Sequence, residues 1–254
     1  MPSDRSAGTL VAEGDSWFDY PWADVVGILE DDYCYDIESV AHHGDQVEEM
    51  AYSNGQLVQL SRRIEKLLRQ GRPPKAILLS GGGNDVAGDG FGMLLNHALS
   101  PIRGFSQPVM VGVIDQRIRI AYVTIIATVS ALSSHWLGKP LPILTHGYDY
   151  PVPDGRGFLG GLAGPWLGPG FTAKGFDALG ERIKMAAVLI DRLNDVLIDI
   201  ASLPQFRHVS HVDLRRTLSN DPGDYKEYWG NELHPTKKGF RLIARKFAKR
   251  LEHI

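Results

Sequence analysis

Short β-branched or apolar runs alternate with helical stripes along this chain, and no other feature limits its fold as much. The runs fall at residues 9–12, 76–79, 143–145 and 209–214, with a weaker one at 35–41. Between them Leu57, Leu60, Ile64, Leu67 and Leu68 repeat at helical spacing, as do Ile183, Ala187, Ile190, Leu193, Leu197 and Ala201. Phe240, Ile243, Ala244, Phe247, Ala248 and Leu251 give the last helix its inward stripe, with Lys237, Lys238, Arg241, Arg245, Lys246, Lys249 and Arg250 on a solvated face. Strands that alternate with helices build a parallel sheet covered on both faces. Its functional residues are expected just beyond the carboxyl ends of the strands.

The 254 residues, 43% hydrophobic and 22% charged, suffice for one α/β domain over 1–254, and nothing in the composition calls for a second. A formal charge of −3 creates no field for a phosphate backbone, so nucleic acid is not an expected partner. The single cysteine, Cys34, excludes an internal disulfide and a thiolate metal site, and it reads as a small core residue. The start at Met1-Pro2-Ser3-Asp4-Arg5 carries no basic region followed by a long apolar one, so a cytoplasmic protein is the default expectation. The apolar stretches 118–132 and 183–200 are broken by Arg119, Thr124, Arg192 and Asp195 and fall short of membrane spans.

Three blocks carry chemistry. Gly14-Asp15-Ser16-Trp17-Phe18-Asp19-Tyr20-Pro21 directly follows the first strand, where a serine hydroxyl projects into the crevice, and the segment 21–29 is expected to begin a helix. A turn in which Asp15 and Ser16 bond the local backbone explains the same residues. Gly81-Gly82-Gly83-Asn84-Asp85 follows the strand at 76–79, and its glycines allow close backbone approach while the Asn84 amide can donate to an oxyanion. No Lys-Ser/Thr pair follows them, which removes a phosphate-cradling loop, whereas a helix cap by Asn84 or Asp85 stays open. Trp229-Gly230-Asn231-Glu232-Leu233-His234-Pro235-Thr236 precedes the last helix, and Pro235 keeps His234 out of it, at the loop-to-helix junction.

In this order, and across nearly the whole chain, the three blocks resemble the SGNH hydrolases, the GDSL-like esterases and lipases. The resemblance implies a flavodoxin-like three-layer α/β/α sandwich with a parallel sheet of about five strands, and no cofactor or metal. It places the nucleophile on Ser16 and the general base on His234. The oxyanion donors fall on the backbone amides of Ser16 and Gly44 and on the side chain of Asn84 within Gly82-Gly83-Asn84-Asp85. The family's Asp-x-x-His becomes Asn231-Glu232-Leu233-His234, so Asn231 stands where an Asp usually orients the histidine. Three residues of separation bring Asn231 to His234 if the segment turns, while Glu232 points elsewhere and Asp149 or Asp213 remains a remote substitute.

The expected reaction is hydrolysis of a small-molecule carboxylic ester, with short acyl or acetyl groups and possible carbohydrate alcohols, through an acyl-enzyme. Asp15, Trp17, Gly83, Asp85, His146, Tyr148 and Asp149 are candidate pocket residues; the last three, within Thr145-His146-Gly147-Tyr148-Asp149, serve either as pocket wall or as loop anchors. Trp17, Phe18, Tyr20 and Trp22 form either an apolar or sugar-stacking wall or part of the core. The Gly/Pro-rich insertion at about 148–172 is either a lid in contact with substrate or a packed loop. Two alternatives stand beside the esterase: a lysophospholipase or thioesterase acting on longer acyl chains, and a non-catalytic binding module that keeps the fold.

Overall fold

A computed structural model describes residues 6–53 and 55–254; the N-terminal reading at Met1 to Arg5 therefore lies outside the described residues. Five parallel strands form the central sheet: β1 Thr9–Glu13, β2 Asp36–Ser39, β3 Ala76–Ser80, and, past the short antiparallel pair β4 Leu95–Asn96 and β5 Gly104–Phe105, β6 Ile143–His146 and β7 Val209–Val212. Their spatial order is β2-β1-β3-β6-β7. All five residues of β3 and all four of β6 are buried, as expected of central strands covered on both faces. β7 ends at Val212, two residues before the predicted limit.

Two helical layers cover the sheet. On one face α1 (Val25–Tyr33) packs against α9 (Lys237–Leu251); on the other lie α2 (Val47–Tyr52), α3 (Gln56–Arg69), α6 (Arg119–Leu137) and α8 (Leu179–Ser202). Shorter helices are α4 Gly83–Val86, α5 Gln107–Met110 and α7 Gly168–Ala173. The stripe predicted for α9 is buried throughout, and in α3 it is buried from Leu60 onward. The buried face of α8 is rotated from the predicted one. It runs through Ala186, Leu189, Ile190, Leu193, Val196, Leu197 and Ile200, leaving Ile183, Ala187 and Ala201 at its margin. The sheet, not the hydropathy stripe, decides which residues of so apolar a helix turn inward.

Three other expectations are corrected. α1 begins at Val25, not in the segment 21–24, because the Asp24 side chain accepts from Gly27 N (2.7 Å) and caps it there. Cys34 is exposed, not core: it terminates α1 in the left-handed conformation at φ 59°, bonding back to Glu30 and Leu29 carbonyls. The apolar stretch at 118–132 belongs to a longer continuous helix, Gln107–Leu137, which includes a π-helical segment at Val111–Ile118. By length and composition alone this helix could cross a membrane, with a window of mean hydropathy 1.4, and its Ala121, Tyr122, Ile125, Ile126 and Val129 are buried in the core.

The chain reverses its winding direction between β1 and β3, so a crevice opens at their carboxyl ends. The residues after β1 and after β3, Gly14 to Asp19 and Gly81 to Asp85, meet there. Gly14 makes that meeting possible: a Cβ on it would stand 2.6 Å from Ser80 Cβ and 2.8 Å from the Ser80 carbonyl oxygen.

Candidate active site

Ser16 lies in the turn after β1, which is closed by Phe18 N and Asp19 N donating to the Asp15 carbonyl (2.9 and 3.1 Å). The Asp15 side chain is buried beneath the turn and engages both neighbours of the crevice. Its Oδ1 accepts from Ser80 Oγ (2.7 Å) and Trp17 N (3.0 Å), and its Oδ2 accepts from Tyr148 Oη. Tyr148 Oη in turn accepts from Gly83 N (3.1 Å). One chain of hydrogen bonds thus ties the Ser16 turn to the segment after β3. Burial pushes the Asp15 carboxyl above its ordinary range, against the pull of these donors.

His234 is held by its own loop. The Asn231 side-chain oxygen accepts from Leu233 N (3.0 Å) and His234 N (2.9 Å), so Oδ1 must face the imidazole. His234 Nδ1 lies 3.0 Å from that oxygen and therefore carries the proton, which leaves Nε2 as acceptor for Ser16 Oγ at 2.7 Å. The opposite end of the amide, Nδ2, donates to Tyr20 Oη (3.0 Å). The Tyr20 ring stacks on the imidazole at 4.2 Å and 17°, and the Trp166 ring meets it edge-on at 5.3 Å and 77°. Enclosed in this way, His234 has its pKa pushed down by burial to about 3, which keeps it neutral at physiological pH. The loop closes through Gly230 N donating to His234 O (2.8 Å), and α9 starts at Lys237 after the Thr236 cap, so Pro235 lies before the helix and not in its first turn.

Of the remaining expected residues, Gly44, at φ 89°, borders the open cavity next to Ser16, together with Asn84 and His234. Asn84 Nδ2 donates to the Asp45 carbonyl at 2.9 Å, which commits one of its two amide protons. Trp17, Gly83, Tyr148 and Asp149 line a second, tighter cavity at Ser16, the more closed of the two. Asp149 is also a loop anchor: its carboxylate accepts from Arg216 N, Thr217 N and Leu218 N at 2.6–2.8 Å. It does not reach His234, and Asp213 pairs with Arg215. Asp85 turns away from the crevice and caps α2 through Val47 N (2.9 Å), with its carboxyl raised to about 6 by burial. His146 is interior, not pocket wall: it stacks on Trp17 at 5.5 Å and is pushed down to about 3, first by burial and then by His211. The aromatic group divides, with Trp17 and Phe18 in the core, Tyr20 on His234, and Trp22 75% exposed against Phe158 at 5.7 Å. Among the described residues, no group of three or more His, Cys, Asp or Glu side chains could hold a metal ion.

Residues 8–242 match the model of the GDSL-like lipase/acylhydrolase family. The chain belongs to that family. Among solved structures, this acylhydrolase is similar to a member of the lipolytic G-D-S-L family from Veillonella parvula (14% identity, 98% of this chain and 100% of that chain, TM-score 0.55). It is also similar to an acetyl xylan esterase from Geobacillus stearothermophilus (16% identity, 97% of this chain and 95% of that chain, TM-score 0.50). At such identities the likeness is one of fold, the SGNH α/β/α sandwich. No curated protein matches the sequence.

Three residues around the acylhydrolase crevice escape a reading of motifs. Tyr20, inside the first block but read there only as wall or core, and Trp166, from the Gly/Pro-rich segment, flank His234, while Glu232, inside the last block, turns away from His234 into the Gly/Pro-rich loop. That loop is neither simply lid nor simply packing. Its flanks are hydrogen-bonded into the body, whereas its tip, closed by Phe158 N on Ala163 O (2.7 Å), exposes Leu159 and Leu162 beside the open cavity. No local sequence signal announces the pairing of Glu232 with this loop, because its partners Gly155, Trp166, Leu167 and Gly168 stand far away in the chain.

Proposed function

We propose that the protein is a serine esterase that cleaves short-acyl carboxylic esters through an acyl-enzyme on Ser16. The observation that carries this reading is the continuous line of hydrogen bonds from Ser16 Oγ through His234 to Asn231 Oδ1, at 2.7 and 3.0 Å. His234 Nε2 takes the Ser16 proton as Oγ attacks the carbonyl carbon, and the resulting imidazolium shares its Nδ1 proton with Asn231. The oxyanion is received by the amides of Ser16 and Gly44 and by the free proton of Asn84 Nδ2. His234 then protonates the departing alcohol and later takes a proton from the water that releases the acid.

Two cavities border Ser16 and Asn84, and their sizes divide the ester between them. The closed one, about 40 Å³ and walled by Val86, Tyr148, Leu189, Trp229 and Leu233 among others, has room for a few methyl-sized groups and suits an acetyl or similarly short chain. The open one, about 370 Å³, takes the alcohol. Half-buried Phe158 in its wall, with exposed Trp22 stacked on that ring, gives a flat alcohol, such as a sugar ring, a surface to stack on. A second reading, hydrolysis of long acyl chains, is favoured by the exposed Leu162 in the wall of that cavity, where a chain would occupy the open cavity instead. A series of p-nitrophenyl esters separates the two: turnover falling steeply beyond a few carbons supports the short-acyl reading, and turnover rising to long chains overturns it.

The reading as a whole is tested with a fluorophosphonate. Labelling at Ser16, seen by intact mass, and a loss of hydrolysis of about 10⁶-fold in Ser16→Ala are expected, since nucleophile and base act as a unit. Retained hydrolysis in that variant overturns it.

A further inference from the structure

The carboxylate of Glu232 is fully buried, and each of its oxygens accepts two backbone N–H groups of the Gly/Pro-rich loop. Oε1 receives Gly155 N (2.8 Å) and Gly168 N (2.9 Å), and Oε2 receives Trp166 N (2.7 Å) and Leu167 N (2.8 Å). Gly168 leaves the space for this approach, because a Cβ there would stand 2.8 Å from Oε1. The lacing is reciprocal: Glu232 N donates to Arg156 O (3.2 Å), and Arg156 Nη1 donates to the Trp229 and Gly230 carbonyls (3.1 Å each). A charge this deep is tolerated only while all its donors remain in place, so the contact holds as a unit or opens as a unit.

We propose that Glu232 is a positioning residue, whose carboxylate clamps residues 155–168 as a fixed wall and thereby shapes the alcohol side of the site. The inference rests on the esterase reading above for what the wall receives, though not for the clamp itself. Glu232 is the neighbour of Asn231 and stands two residues before His234, so the loop that supplies the base also sets the position of the wall. Clamping Trp166 N and Leu167 N puts the Trp166 ring on the edge of His234, and it brings Phe158, Leu162 and Ala163 beside Ser16 in the open cavity. An acid that stapled a remote loop would affect folding alone. This one governs which alcohols fit.

The test is Glu232→Gln, which keeps the shape and one oxygen but sets an NH₂ group against two of the four N–H donors. In the folded variant, amide hydrogen exchange at 155–168 is expected to rise about tenfold or more, as a locally opened segment does. KM for esters of bulky apolar alcohols should rise about tenfold, while KM for the methyl ester of the same acid changes by less than about twofold, because the small alcohol does not touch the wall. Gly168→Ala presses a methyl group on the same carboxylate without altering its charge and should shift exchange and the KM ratio in the same direction; it also serves if Glu232→Gln does not fold. Unchanged exchange at 155–168 in the folded variants overturns the clamp. Faster exchange with equal losses for both alcohols, or lower stability with unchanged kinetics, reduces Glu232 to a structural staple and overturns its positioning role. Failure of the fluorophosphonate to label Ser16 in the unaltered protein would remove the esterase reading and leave the exchange measurement to decide the clamp.

Discussion

The two cavities that meet at Ser16 are built by different means. The closed one takes much of its wall from the main core, Val86 on α4, Leu189 and Ile190 on α8 and Tyr148 after β6, joined by Pro151, Leu167, Trp229 and Leu233 from the loops. The open one is walled by loop: Tyr20 and Pro21 from the Ser16 turn, His43 and Gly44 after β2, and Phe158, Leu162, Ala163 and Trp166 from the Gly/Pro-rich segment. Changes on the first side act on core packing and carry a stability cost, while changes on the second reshape a surface that the core does not need. In our reading, acyl selectivity is therefore tied to the fold, and alcohol selectivity is free to vary with the loop.

Among the described residues only Ser16 and Asn84 border both cavities, so the largest effect of a substitution short of the proposed nucleophile should fall on Asn84. Asn84→Ala is expected to lower kcat by about 10²- to 10³-fold on every ester, the usual cost of one oxyanion donor, measured by steady-state kinetics on acetate and butyrate esters. A loss confined to one acyl length would place Asn84 in a cavity wall only. Next comes the base. Asn231→Ala should cost about 10- to 100-fold in kcat, short of the ~10⁴-fold for spoiling a carboxylate-based triad, because a neutral amide stabilises the imidazolium less to begin with. Asn231→Asp should keep or raise kcat, since Tyr20 Oη, which now accepts from Nδ2, can turn its proton to a carboxylate. Loss of activity in the Asp variant would show that the amide proton is required.

The comparison itself is tested by paired variants. Val86→Ala enlarges the closed cavity and should move kcat/KM toward butyrate over acetate by about tenfold, whereas Leu162→Ala should change preference among alcohols and leave that acyl ratio within about twofold. An acyl shift from Leu162→Ala would mean the acyl group lies in the open cavity. The smallest effect concerns pH. Burial lowers the His234 pKa from 6.5, so the base stays unprotonated as pH falls below that value, and the acid limb of kcat/KM should lie below 6.5. Glu232→Gln, by admitting water to the ring, should move the limb upward, back toward 6.5. A limb at or above 6.5 in the unaltered protein would show that His234 is solvated in the working enzyme.

Much of this was legible beforehand because it depends on neighbours in the chain. Four of the five sheet strands announce themselves by clear apolar runs and β2 by a weaker one, the turn at Gly14-Asp15-Ser16 by turn-forming residue types, and the approach of Asn231 to His234 by a three-residue separation with a proline behind it. The exposure of Cys34 is not legible in the sequence, because a cysteine's usual burial says nothing about its place at a helix end, where φ and the Glu30 carbonyl govern. The inward face of α8 was misread because its apolar residues nearly encircle it.

Sequence alone determined the alternation of strands with helices and the covered parallel sheet, since periodicity and turn chemistry act over a few residues, and the resemblance of its three blocks to the SGNH hydrolases pointed to the strand ends from which the expected nucleophile, base and oxyanion donors emerge. Tertiary structure alone decided that Asp149 anchors a loop, that Asp85 caps α2, that Tyr20 and Trp166 enclose His234, and that Glu232 fastens residues 155–168. Each of these contacts joins residues that the chain brings together only by folding around the sheet. A buried carboxylate takes its partners from whichever unsatisfied N–H groups arrive within reach, and no local pattern records which those will be.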